Sequence, residues 1–117
     1  MEVQKTYALV IGAVLLLVGL LGFVMSSPLL GLFGVNTLQN ILHLLGGALG
    51  LYFGYKGSAG SVKNFNLGLG VVAIIVALLG FLTPALVESL LNINAATTWL
   101  HVLIGATALG VGYFVKD

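Results

Sequence analysis

The sequence contains no cysteine and no arginine, and it carries little charge of either sign. The missing cysteine excludes disulfides and thiol chemistry, and the missing arginine removes the usual bidentate partner of phosphate groups. Only 6% of the 117 residues are charged, whereas soluble domains carry about 25%, so the chain cannot cover a water-facing surface. The 60% of hydrophobic residues and the mean hydropathy of +1.20 indicate an integral membrane protein.

The low charge also limits the partners of the chain. A net charge of +1 supplies no basic face, so we expect no binding to nucleic acid. The expected surroundings are the lipid bilayer and, within it, other copies of this chain or other membrane subunits.

What the sequence does have is an internal repeat. A shift of 58 positions aligns 19 identical residues over the 51 positions from 5 to 55, without a gap. Leucine and glycine match by chance in such a composition, but the matched lysines, asparagines, histidines and tyrosines are harder to explain that way. We interpret the pattern as a duplication, with repeat 1 at 5–55 and repeat 2 at 63–113, inside a single domain over residues 1–117.

Each repeat holds two apolar segments close to the length of about 20 residues that a membrane span needs. The segments are 7–25, 36–55, 65–83 and 94–114. The sequence therefore predicts an all-α membrane protein with four transmembrane helices, built as two tandem two-helix repeats with pseudo-twofold symmetry along the membrane normal. The apolar connections that contain Pro28 and Pro84 are predicted to form short interfacial helices.

The lysines predict the orientation. Lys5, Lys56, Lys63 and Lys116 all fall at one end of a four-span arrangement, and Glu88 is the only charge in the opposite connections. Because positive loops stay inside, both termini are expected in the cytoplasm. Glu88 itself is most simply a solvated loop charge.

The only two histidines occupy equivalent positions in the two repeats. His43 is followed four residues later by Gly47, and His101 by Gly105, so each pair shares one helix face. Each histidine lies about seven residues, or roughly 10 Å, inside its helix. An ionisable group at that depth is expected to face the interior of the bundle.

A polar patch precedes each histidine. Asn36 and Asn94 are suited to cap the free N–H groups of a first helical turn. Further polar side chains follow within one turn, so we predict a structural polar patch at the outer end of the bundle. Its members are Asn36, Gln39, Asn40, Asn94, Thr97 and Thr98.

These elements resemble a widespread bacterial family of small four-helix integral membrane domains of unknown function. The similar stretches are "KTYALVIGAVLLLVGLLGF", "FGVNTLQNILHLLGGALGL" and "NAATTWLHVLIGA", with an Asn...Leu-His-Leu...Gly helix motif present twice. The resemblance implies a fold and a location in a prokaryotic cytoplasmic-type membrane, and it implies no activity. Relatives often carry a second histidine where Gln39 stands here, so a metal site shared across the family is in doubt.

Three interpretations of the histidines remain open. The first is structural, with each imidazole hydrogen-bonded to another helix, to Asn40 or Thr98, or to a backbone carbonyl. The second is tetrapyrrole binding: His43 and His101 would be axial ligands of haem b, Gly47 and Gly105 would leave room for the ring edge, and a chlorophyll-type pigment is a weaker variant. The third is a transition-metal or proton site, which two histidines alone serve poorly.

The sequence favours a role without catalysis. It offers no nucleophile–base pair and no pair of carboxylates. We therefore expect a non-enzymatic accessory, scaffold or interaction subunit with structural histidines and no cofactor. The alternative is a small b-type cytochrome or pigment-binding protein.

Overall fold

The structure, a computed structural model, describes residues 2–116 and confirms the all-helical prediction. Its helices are α1 Glu2–Val24, α2 Thr37–Lys56, α3 Ala59–Leu82, α4 Pro84–Leu91 and α5 Ala95–Phe114. The four long helices fall on the four apolar segments predicted from the sequence.

Three of these helices, α1, α3 and α5, are long and apolar enough to cross a membrane. This finding supports the membrane location that the composition indicates. Helix α2 has 20 residues, but its first two turns carry Gln39, Asn40 and His43, and it ends at Lys56. These polar residues lower the average hydropathy of α2 below that of the other three.

The long helices pack as two pairs. Helix α1 lies along α2, and α3 lies along α5. The pairs meet where α1 contacts α3, with further contacts between α2 and α3 and between α1 and α5. Among the described residues, no Cα atoms of α2 and α5 come within 8 Å of each other, so these two helices lie diagonally across the bundle.

Glycines allow the close packing within each pair, and the contacts recur 58 positions apart. A Cβ added at Gly12 would lie 2.8 Å from the backbone nitrogen of Leu51, and one added at Gly70 would lie 2.8 Å from that of Leu109. The same recurrence holds for Gly47 on Leu16 and Gly105 on Ile74, and for Gly54 on Leu9 and Gly112 on Leu67. Backbones therefore touch along most of both helix pairs.

The contact between α1 and α5, which we call the α1–α5 seam, is polar. The Gln4 side chain donates to the carbonyl oxygens of Val111 and Val115, at 2.7 and 3.0 Å. The Tyr7 hydroxyl lies 2.8 Å from the hydroxyl of Thr107. Gln4 also accepts a hydrogen bond of 2.8 Å from Asn66 of α3. Three helices are thus tied together at the end that carries the lysines.

The contact between α2 and α3, which we call the α2–α3 seam, is the counterpart of the α1–α5 seam on the other side of the bundle. It is apolar. Phe65 of α3, the counterpart of Tyr7, lies there, and Val62, the counterpart of Gln4, is buried. The ring of Phe65 lies 5.7 Å from that of Phe53. The two seams therefore differ in chemistry although their helices pack alike.

The connections differ between the repeats. The predicted short helix is found as α4, but the prediction is wrong for the first connection. There Leu29 and Phe33 exchange backbone hydrogen bonds of 2.6 and 3.0 Å, and Leu30 and Gly31 have φ angles of 56° and 75°. A right-handed helix cannot contain these angles.

Replacing Gly12 by alanine tests the backbone contact between α1 and α2. The added Cβ would lie 2.8 Å from the nitrogen of Leu51, so the two helices would have to separate. We expect Gly12→Ala to lower the free energy of unfolding by about 1–3 kcal/mol, although alanine favours helix. Thermal unfolding in detergent, followed by circular dichroism, measures the change.

The matched control is Gly68→Ala in the middle of α3, where an added Cβ meets nothing within 4 Å. This variant should be unchanged, or more stable by up to about 1 kcal/mol, because only the helix propensity changes. Equal melting temperatures for the two variants would contradict the proposed role of Gly12.

Candidate functional site

The polar patch lies at the end of the bundle opposite the lysines, and two of its three asparagines, Asn36 and Asn94, begin helices as predicted. Asn36 Oδ1 accepts a hydrogen bond of 2.9 Å from the backbone nitrogen of Gln39. Asn94 Oδ1 accepts one of 2.9 Å from the nitrogen of Thr97. Each asparagine thus caps its helix, α2 or α5, with the oxygen of its side-chain amide.

The nitrogen of each amide reaches across to the other repeat. Asn36 Nδ2 donates to the carbonyl oxygen of Leu90 at 3.0 Å, and Asn94 Nδ2 donates to that of Leu32 at 2.9 Å. Leu32 and Leu90 are themselves 58 positions apart, so the two bonds are reciprocal. Each repeat supplies the cap of its own helix and a hydrogen-bond donor to the connection of the other.

Gln39 and Thr97 both reach the first connection at Gly34, and Gln39 also reaches the second at Leu91. Gln39 Nε2 donates to the carbonyl oxygens of Gly34, at 3.0 Å, and Leu91, at 2.6 Å. The Thr97 hydroxyl lies 3.3 Å from the same Gly34 oxygen. Both side chains are buried. These bonds satisfy carbonyl groups that would otherwise lie in a poorly hydrated region.

The last two members of the predicted patch pack on glycines. Asn40 lies against Gly22 of α1, and Thr98 lies against Gly80 of α3. Both side chains are buried. Asn40 Oδ1 has no hydrogen-bond partner among the described residues. Four members of the patch therefore cross-link the chain, and these two fill the space between helices.

The histidines lie on separate helix pairs and are both partly buried. His101 Nδ1 lies 2.8 Å from the carbonyl oxygen of Thr97, one turn earlier in its own helix. His43 Nδ1 is buried and has no partner among the described residues. Of the partners predicted for the histidines, the carbonyl is the one found, and only for His101.

The glycines next to the histidines face their own repeats. A Cβ on Gly47 would lie 2.5 Å from the nitrogen of Leu16 in α1, and one on Gly105 would meet the side chain of Ile74 in α3. The space at both glycines is therefore filled by a neighbouring helix.

A cleft of about 620 Å³ opens beside the patch, between the end of α3, helix α4 and the start of α5. Phe81, Glu88, Asn92, Thr98 and Trp99 are among its lining residues. The rings of Phe81 and Trp99 meet edge to face, with centroids 5.1 Å apart. The cleft thus combines one carboxylate with aromatic and neutral polar side chains.

Asn92 is the residue of this region that sequence reasoning missed. It ends α4 in the left-handed conformation, with φ of 54°, which asparagine tolerates better than most residues. Its amide nitrogen donates to Ser27 Oγ at 3.0 Å and to the carbonyl oxygen of Val35 at 2.8 Å. The sequence signal that could have predicted this role is the position of Asn92 two residues before Asn94, the cap of α5.

The family model for a domain of unknown function, DUF4383, matches residues 5–114. The chain belongs to this family. The match spans both helix pairs of the DUF4383 domain and includes the polar patch and the cleft, which confirms the resemblance to a family of unknown function. No curated protein and no solved structure matches the chain.

Two substitutions at Asn36 separate its two bonds. Asn36→Ala removes both, and Asn36→Asp keeps the cap but removes the donor to Leu90. Using ordinary values for a cap and a hydrogen bond, we expect Asn36→Ala to lower the free energy of unfolding by about 1–3 kcal/mol. Asn36→Asp should lower it by about 0.5–1.5 kcal/mol. Thermal unfolding in detergent measures both.

Asn64→Ala is the control, because Asn64 is exposed near the start of α3 and should change the stability by less than about 0.5 kcal/mol. If Asn36→Asp melted at the wild-type temperature, the bond between the repeats would contribute nothing to stability.

Proposed function

We propose that this DUF4383 domain is a non-enzymatic integral membrane protein that serves as an accessory or scaffold subunit. The observation that best supports this proposal is the distribution of polar and apolar side chains. Polar groups at both ends of the bundle bond within the chain, while large apolar side chains face outward along the helices. Leu17, Val72 and Leu103, on three different helices, each expose more than half of their area. Such faces suit lipid or the helices of another subunit.

The proposal includes α2 as a fourth span. Helix α2 lies along α1 from the contact of Gly54 with Leu9 to the contact of Asn40 with Gly22. A helix that follows a spanning helix over this length lies at the same depth. Both termini and the turn between α2 and α3 would then be cytoplasmic, in a prokaryotic cytoplasmic-type membrane.

The recurrence of contacts 58 positions apart supports the proposed duplication. If one gene segment was copied, each two-helix unit of 5–55 and 63–113 keeps its own packing, and the units are related by an axis along the membrane normal. The reciprocal bonds of Asn36 and Asn94 suit such an axis.

Single cysteines test the four-span topology, since the natural chain has none. Ser26, Ser58 and Ser89 are exposed and lie before α2, after α2 and in α4. With four spans, a membrane-impermeant maleimide added to intact cells should label Ser26→Cys and Ser89→Cys and leave Ser58→Cys unlabelled until the membrane is opened. Labelling of Ser26 and Ser58 from the same side would show that α2 does not cross.

Site-specific cross-linking in native membranes tests the scaffold proposal. A photoreactive maleimide is attached to Leu17→Cys, Val72→Cys or Leu103→Cys. We expect at least one of these outward faces to cross-link to a second protein chain, either another copy or a different subunit. The unsubstituted chain, which cannot react with the maleimide, is the control. Adducts with lipid alone at all three positions would contradict the proposal.

The second candidate is a small b-type cytochrome with His43 and His101 as ligands. One observation favours it. Because a carbonyl oxygen only accepts, the contact of His101 Nδ1 with Thr97 places the hydrogen on Nδ1 and leaves Nε2 free to bind a metal. A Soret band in the purified protein, lost in His43→Ala and His101→Ala, would replace the scaffold proposal. A chlorophyll-type pigment would show its own absorption bands.

A further inference from the structure

Two residues of the cleft beside α4 differ in chemical character from their counterparts in the first repeat. Glu88 and Trp99 line it, and repeat 1 has Leu30 and Ile41 at the corresponding positions. One half of the molecule has thus acquired a negative charge and a large aromatic ring in the same cleft. Both side chains are exposed, so burial in the core of the bundle explains neither change.

The charge of Glu88 is not neutralised by this chain. Glu88 is the only charged residue between Lys63 and Lys116, and those lysines lie at the opposite end of the bundle. The nearer connection, from α1 to α2, contains no charged residue at all. Any positive partner of this exposed carboxylate would therefore come from outside the chain.

The polar atoms of the cleft that make no hydrogen bond within the chain are mainly acceptors. Asn92 uses both amide hydrogens on Ser27 and Val35, so its oxygen is the atom left over. The Thr98 side chain also lines the cleft, and its hydroxyl makes no hydrogen bond among the described residues. This hydroxyl is therefore available to a ligand as a hydrogen-bond partner.

The aromatic side of the cleft, formed by Phe81 and Trp99, also suits a cation. Trp99 and Phe81 are held edge to face and remain largely exposed, so a ring face is accessible to a ligand. The face of an indole attracts ammonium groups. The cleft also lies at the ends of the spanning helices α3 and α5, at the depth where lipid headgroups are found.

We propose that this cleft binds a primary ammonium group of the ethanolamine type. Glu88 supplies the opposite charge, Asn92 and Thr98 accept N–H hydrogen bonds, and Trp99 covers the methylene carbons. A primary ammonium fits better than a quaternary one, because only the primary group has hydrogens to donate. The group can belong to a zwitterionic lipid or to a free amine.

Trp99 provides the readout, since it is the only tryptophan in the chain. The full-length protein is titrated with ethanolamine in an amine-free detergent while tryptophan fluorescence is recorded. We expect a saturable change, with a weaker response to choline. Glu88→Gln should raise the dissociation constant by at least about tenfold, and Thr98→Val by about two- to tenfold.

Glu2→Gln is the matched control, because it removes one carboxylate at the other end of the bundle and should bind like the wild type. Unchanged circular dichroism shows that each variant is folded. A wild-type protein without a saturable response to either ethanolamine or ethanolamine lipid would overturn the proposal. So would a Glu88→Gln variant that responds as the wild type does.

Nanodiscs distinguish the two sources of the ammonium group. The fluorescence in phosphatidylethanolamine is compared with that in phosphatidylcholine and phosphatidylglycerol, for the wild type and Glu88→Gln. A Glu88-dependent change with phosphatidylethanolamine alone identifies a lipid headgroup as the ligand. A response to free ethanolamine that is the same in all three lipids identifies a soluble amine.

Discussion

Helices in a bilayer gain little by hiding apolar side chains from one another, because lipid is equally apolar. Their association depends instead on close contact, and in this protein glycine provides it. Gly12 and Gly70 bring the backbones of α1 and α2, and of α3 and α5, close enough that a methyl group would not fit. The positions of the caps, the histidines and the cleft all follow from these two tightly packed pairs.

Hydrogen bonds then join the pairs at both ends. At the end opposite the lysines the asparagine caps each reach the connection in the other half of the chain, and at the lysine end Gln4 and Asn66 link three helices. Chain segments that leave a helix near a membrane carry carbonyl groups in need of donors. The amide side chains meet that need and fix how the two pairs are placed.

The sequence was informative where the signal is local or repeated. Apolar length predicted the long helices, and the caps at Asn36 and Asn94 followed from residue type and position. The partners of those caps could not be predicted, because Leu32 and Leu90 contribute backbone carbonyls that leave no trace in side-chain identity. The irregular first connection also escaped prediction, since left-handed angles at Leu30 are not expected of leucine. The cleft combines residues of three elements, and only their packing brings them together.

The difference between the two seams has a mechanical consequence. Hydrogen bonds are directional, so the α1–α5 seam, with Gln4 and Tyr7, has one preferred register and resists sliding. The α2–α3 seam, with Phe65 against Phe53, relies on contacts that depend little on direction, so the bonds of Asn36 and Gln39 at the opposite end set its register. A dimer of identical half-chains would have the same residues at both seams. A covalently joined chain can hold its two sides by different means, with hydrogen bonds in one seam and apolar contact in the other.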